Sequence, residues 1–166
     1  MTQAPVIDKS VIPKLILPFM NTVQTVFKKM AGVEVTVQAP HLKGQSHPSY
    51  DVSGIIGFSG DVVGTVVLSF HNEVAEKLVE AFTGMRIERT SPDFADAIGE
   101  LANMIAGSAK ANLGGKTNIS IPSVVIGSGY TLANMSNVKC LVIPCGSPHG
   151  EFAIEICIEN SQQAGK

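Results

Sequence analysis

The chain has 166 residues, 45% of them hydrophobic and only 16% charged, with a formal net charge of −2. A domain of this length buries roughly 70% of its unfolded surface, so one unit over residues 1–166 is expected, with 1–10 as a frayed lead-in. Weak charge, no Trp and two Tyr provide neither a basic stripe for phosphate backbones nor platforms for bases, which argues against a nucleic-acid partner.

No run approaches the roughly 18 apolar residues of a membrane span, and the N-terminus lacks the layout of a signal peptide. A cytoplasmic protein without membrane insertion is expected. A weakly charged, partly apolar surface predicts self-association. Cys140, Cys145 and Cys157 are odd in number and confined to the last quarter of the chain, which predicts reduced thiols.

In chain order, Phe19, Val23, Val26, Phe27 and Met30 recur at helical spacing, predicting an amphipathic helix from Pro18 to Met30. Pro18 suits its first turn, and Gly32 lies just past its end. "VEVTVQAP" alternates as a strand, and His41 to Tyr50 has loop composition. "DVSGIIGF" and "VVGTVVLSF" are β runs joined by Ser59-Gly60-Asp61, a hairpin signal. A second helix follows from Asn72, its expected cap, with a Val74, Leu78, Val79, Phe82 stripe and Gly84 as terminator.

The third helix opens at "SPDF", where Ser91 can cap, Pro92 is preset for the first turn and Asp93 complements the dipole. It is expected to close at Gly114-Gly115. Three further β runs are predicted: "TNISIPSVVIG", broken by Pro122, then "KCLVIPC" and "EFAIEICIEN". In the last, Phe152, Ile154, Ile156 and Ile158 share one face, and Glu151, Glu155 and Glu159 the other. The order α-βββ-α-α-βββ repeats a helix followed by three strands. An α/β (α+β) fold is expected, with a mixed, antiparallel-rich sheet of about six strands, helices packed on it and two pseudo-duplicated units.

Familiar motifs fail. "GGKT" at 114–117 has Lys110 where a phosphate loop needs glycine, and it runs from helix to strand. "GFSGDVVG" lies inside the hairpin, with no helix N-terminus close behind it. Cys140, Cys145, His149 and Cys157 lack paired zinc-ligand spacing, so no metal site is expected. His41, His47 and His71 have no nucleophile setting.

The third helix is different. Phe94, Ile98, Leu101, Ile105 and Ala109 form its core side, while Asp96, Glu100, Asn103, Gly107 and Lys110 fall opposite, Glu100 and Asn103 being neighbours at i, i+3. Around them stand Gly99, Ala102, Ala106 and Gly107, although interior glycines cost roughly 1 kcal/mol each relative to alanine. The small residues predict that another surface approaches this helix while two functional groups protrude. An amide can hold a water by donating and accepting hydrogen bonds, and a carboxylate can bind a partner's Lys or Arg.

At these residues the sequence resembles the CheX group of the CheC, FliY and CheX chemotaxis phosphatases, whose signature is Asp or Ser, three residues, Glu, two residues, Asn, and a later Pro. Asp96, Glu100, Asn103 and Pro122 match it in order. The segments "PFMNTVQTVFKKMAGVEV", "DVSGIIGFSGDVVGTVVLSF" and "EVAEKLVEAFTGM" extend the similarity to most of the chain. The first helix has Thr22, Gln24 and Thr25 but no Glu-x₂-Asn, which implies one site per chain.

The resemblance implies a CheC-like fold and hydrolysis of the aspartyl phosphate of a CheY-like response regulator. Asn103 would orient the attacking water and Glu100 would dock a partner Lys. Asp96, Gly99, Gly107, Lys110 and Pro122 would line the contact with the receiver. No cofactor would be bound by this chain, Mg²⁺ belonging to the partner receiver domain, and a dimer through a continuous sheet would form. The alternative is a non-catalytic module that binds a receiver or switch component through the same helix face.

Overall fold

The computed structural model describes residues 11–44, 50–113, 115–130, 132 and 138–159. The first ten residues, and His47 in the loop read from the sequence, lie outside them.

Strand alternation builds the sheet. β3 (Val52–Gly60) and β4 (Gly64–Phe70) form the expected hairpin, and β7 (Val138–Ser147) and β8 (Gly150–Glu159) form a second. The two hairpins join antiparallel through β4 and β8. Val52, Ile56, Val66, Leu68, Phe70, Ile143, Phe152, Ile154 and Ile156 turn one face of this sheet into the core, as a period of two requires.

That face is covered by α1 (Val11–Val26), which runs on as a π-helical turn over Phe27–Ala31, and by α2 (Asn72–Thr83) and α3 (Pro92–Leu113). Among the described residues the first helix therefore already runs two turns before the predicted start, and Pro18 lies inside it, where its ring removes one backbone bond. Ile16, one turn further back on the buried face, carries the stripe past the proline. The cap of α2 also differs from expectation: Asp51 Oδ2 accepts the Asn72 N–H at 3.0 Å, so the carboxylate of the strand lead-in does the work assigned to the Asn72 side chain. At the other end Gly84, with φ 74°, closes the helix as predicted. Ser91 accepts the Asp93 N–H at 3.3 Å and opens α3, also as predicted.

Among the described residues the sheet has eight strands, because each edge is split in two. β1 (Thr36–Val37) and β2 (His41–Leu42) pair with β7, and β5 (Thr117–Ile119) and β6 (Ser123–Ile126) pair with β3. His41 and Leu42 thus belong to a strand within the segment expected to be loop. The two edges have matching register. Val37 opposite Cys145 and His41 opposite Val142 on one side correspond to Ile119 opposite Phe58 and Ser123 opposite Ile55 on the other. The α-βββ duplication is therefore an internal twofold lying between β4 and β8, in which each half lends its edge strand to the other half's hairpin.

α3 sits close on β3 because Gly54 admits it. A Cβ at Gly54 would lie 3.0 Å from the Ala102 Cβ and 3.4 Å from Ile98. Gly54→Val is expected to cost about 2 kcal/mol by overpacking this seam, lowering Tm by about 6 °C; an unchanged melting temperature would show that the seam can open without cost.

The face of the sheet away from the helices buries polar side chains as well. Glu155 is 3% exposed and its Oε2 accepts from Lys43 Nζ at 2.8 Å. Ser53 bonds to Ser69 at 2.8 Å and to the Tyr130 hydroxyl at 2.6 Å.

The cysteines correct the sequence reading: Cys140 and Cys157, directly opposite in the β7–β8 register, form a disulfide, and Cys145 alone is free and buried. Burial pushes the Cys145 thiol up to about 12. Native, unreduced protein is expected to resist alkylation at neutral pH and to take up one label per chain on unfolding. Three labels, read by mass spectrometry, would refute the pairing.

Candidate functional site

Helical periodicity sorts α3 as expected. Phe94, Ile98, Leu101, Ile105 and Ala109 are buried, while Asp96 and Glu100 are exposed and Asn103, Gly107 and Lys110 are half-buried. Glu100 and Asn103, one turn apart, present a carboxylate and a carboxamide with no hydrogen-bond or ion-pair partner among the described residues. Both groups are free to engage something else. The outward face of one rigid helix limits their motion to side-chain rotation.

The small residues around them have a different origin from the one expected. Gly99, Ala102 and Ala106 are buried. A Cβ on Gly99 would lie 3.2 Å from Pro122 Cγ and 3.5 Å from Val124 Cγ2, and one on Gly107 would lie 3.9 Å from Ile119 Cδ1. Gly99 therefore receives this chain's own edge strand and is not itself a contact surface for a partner. Gly99, Asn103 and Gly107 form one i, i+4, i+8 row. The segment from Ile119 to Pro122 runs antiparallel along that row, about 10 Å of extended chain beside about 12 Å of helix. Pro122 is accordingly placed as a brace against the turn that carries Glu100. Beyond Asn103 the row opens into a shallow depression of about 370 Å³ lined by Gly107, Lys110, Ala111, Gly115 and Ile119.

The internal twofold exposes a counterpart that sequence reading missed. Buried Ile16, Phe19, Val23 and Phe27 of α1 and its π turn match Ile98, Leu101, Ile105 and Ala109. On that match Asn21 stands where Asn103 does, and each Asn precedes a proline, Pro40 or Pro122, by the same 19 positions. Pro18 stands where Glu100 does, so the first half has the amide without the carboxylate. The equal Asn-to-Pro spacing was visible in the sequence, but nothing marked it as meaningful without the twofold.

Among the described residues no group of three His, Cys, Asp or Glu is placed to hold a metal, and no helix is long and apolar enough to cross a membrane.

An antiparallel sheet with exchanged edge strands, helices on one face and an outward Glu–Asn pair on α3 defines a CheC-like α/β protein. The family model for the chemotaxis phosphatase CheX matches residues 52–146, and the chain belongs to that family. It is 28% identical to the CheY-P phosphatase CheX of Thermotoga maritima over 89% of this chain and 97% of that protein. The crystal structure of CheX from Desulfovibrio desulfuricans is 32% identical, with a TM-score of 0.81 over 88% of this chain and 99% of the other. A CheX–CheY–BeF3–Mg²⁺ complex from Borrelia burgdorferi shares the fold at 22% identity, with a TM-score of 0.74 over 88% of this chain and 98% of the other.

Proposed function

We propose that this chain hydrolyses the aspartyl phosphate of a phosphorylated CheY-like response regulator. The observation that carries the reading is the pair Glu100 and Asn103, without a partner among the described residues, projecting from a braced helix of a chain that belongs to the CheX family. The Thermotoga relative is a CheY-P phosphatase, and the Borrelia relative forms a complex with CheY.

In this reading Asn103 acts on water. Its amide oxygen accepts from the water and its NH₂ donates toward the phosphoryl oxygens, which holds the water in line with the phosphorus. The P–O bond to the receiver's aspartate breaks, inorganic phosphate leaves and the carboxylate is restored. Glu100 pairs with a Lys of the receiver and fixes the approach of the helix. Asp96, Gly107 and Lys110 border the contact, and Mg²⁺ is supplied by the receiver. One functional pair per chain follows from Pro18 standing in the place of Glu100 in the other half. A homodimer in a cytoplasmic setting completes the proposal.

The test is phosphate release from a phosphorylated receiver with Mg²⁺ present, with and without this chain. Acceleration that Glu100→Ala weakens together with binding supports the assignment. A complex that forms without acceleration would establish the non-catalytic docking reading instead.

A further inference from the structure

The most exposed large apolar side chain described is Ile121, at 87%. Its exposure is produced by a specific irregularity. Ile119 pairs with Phe58 and Ser123 with Ile55, so the edge takes four steps where β3 takes three. The extra residue makes a β-bulge. Ile119, Pro122 and Val124 all turn toward α3, at Gly107 and Gly99. Strict alternation from Ile119 would send Ile121 inward as well; the bulge puts Pro122 there and turns Ile121 out, alongside the helical turns that carry Glu100 and Asn103.

The backbone at this point is pinned. Ser120 N–H donates to Gly57 O at 2.9 Å, Ser120 Oγ accepts the Gly57 N–H at 2.9 Å, and the same hydroxyl donates to Ile121 O at 2.9 Å. An apolar side chain on a backbone pinned in this way costs little backbone freedom on burial against a partner. The twofold supplies an internal control. The other edge has the same extra residue between Val37 and His41, and there Ala39 stands where Ile121 does. The half that lacks the carboxylate also lacks the apolar projection.

We infer that Ile121 is a docking residue for the receiver: its side chain buries against an apolar patch beside the receiver's acyl phosphate and adds binding energy to the complex. The inference rests on the proposed phosphatase reading. It names a contact that is neither the Glu100 ion pair nor the Asn103 amide.

Ile121→Ala, which gives this edge the residue of the other half, is compared with the unaltered chain in steady-state phosphate release from a phosphorylated receiver. KM is expected to rise about tenfold with kcat within about twofold, and Ile121→Val is expected to recover most of the loss. The melting temperature is expected to stay unchanged, because the side chain, 87% exposed, contributes little burial to the fold. An unaltered KM for both Ile121→Ala and Ile121→Glu, with the unaltered chain active, overturns the inference and leaves the phosphatase reading intact. Absence of turnover by the unaltered chain overturns the reading on which it rests. A change of oligomeric mass in Ile121→Glu, with KM unaltered at concentrations that hold the assembly constant, would assign the side chain to self-association and equally overturn it.

Discussion

Asn103→Ala is expected to lower receiver-dependent phosphate release by about a hundredfold while the affinity for the receiver changes less than about threefold. A hundredfold corresponds to about 2.7 kcal/mol of transition-state stabilisation, within the range of a positioned hydrogen bond acting on an oriented water. Folding does not confound the result. Asn103 is half-buried without a partner among the described residues, and alanine is the better helix former by roughly 0.7 kcal/mol. Asn103→Asp is the informative companion, because it keeps the shape but replaces the donor with negative charge facing a phosphoryl group. It should be at least as inactive as alanine. The assignment is abandoned if either variant turns over like the unaltered chain, or if the loss appears wholly in binding.

The second large effect concerns stability. Lys43→Met is expected to destabilise the fold by about 3 kcal/mol, because the Glu155 carboxylate, 3% exposed, loses its ammonium partner at 2.8 Å. For a chain of this size that is a fall in Tm of about 9 °C. Replacing both groups, Lys43→Met with Glu155→Leu, is expected to return most of the loss, since removing a buried pair together is often neutral. Thermal unfolding of the two variants decides it. A double variant as unstable as the single one would show that Glu155 matters through its other neighbours more than through Lys43. Neither substitution touches α3, so phosphatase activity below the melting transition should persist.

These two expectations draw on different kinds of information. The outward pair on α3 is a matter of helical angle, legible from Phe94, Ile98, Leu101 and Ile105 on one side and Glu100 and Asn103 on the other. The ion pair is not, because Lys43 and Glu155 are 112 positions apart and meet only once β2 has joined β7. The small residues show both kinds at once. Gly99 and Ala102 were conspicuous in the sequence, yet their cause is Pro122 and Gly54 of the same chain, elements whose approach no local pattern announces.

What the sequence by itself determined is everything governed by covalent periodicity: three amphipathic helices, two hairpins of alternating residues, helix ends at Ser91 and Gly84, and the exposed Glu–Asn turn. Tertiary structure alone decided which strands meet and in what register. That choice joined Cys140 to Cys157 against the expectation of free thiols, exchanged the edge strands about the internal twofold, extended the first helix past Pro18 and turned Ile121 outward through one extra residue. The physical reason is that a side chain's direction along a helix or strand follows from its neighbours in sequence, whereas register is selected by the free energy of closing the whole core.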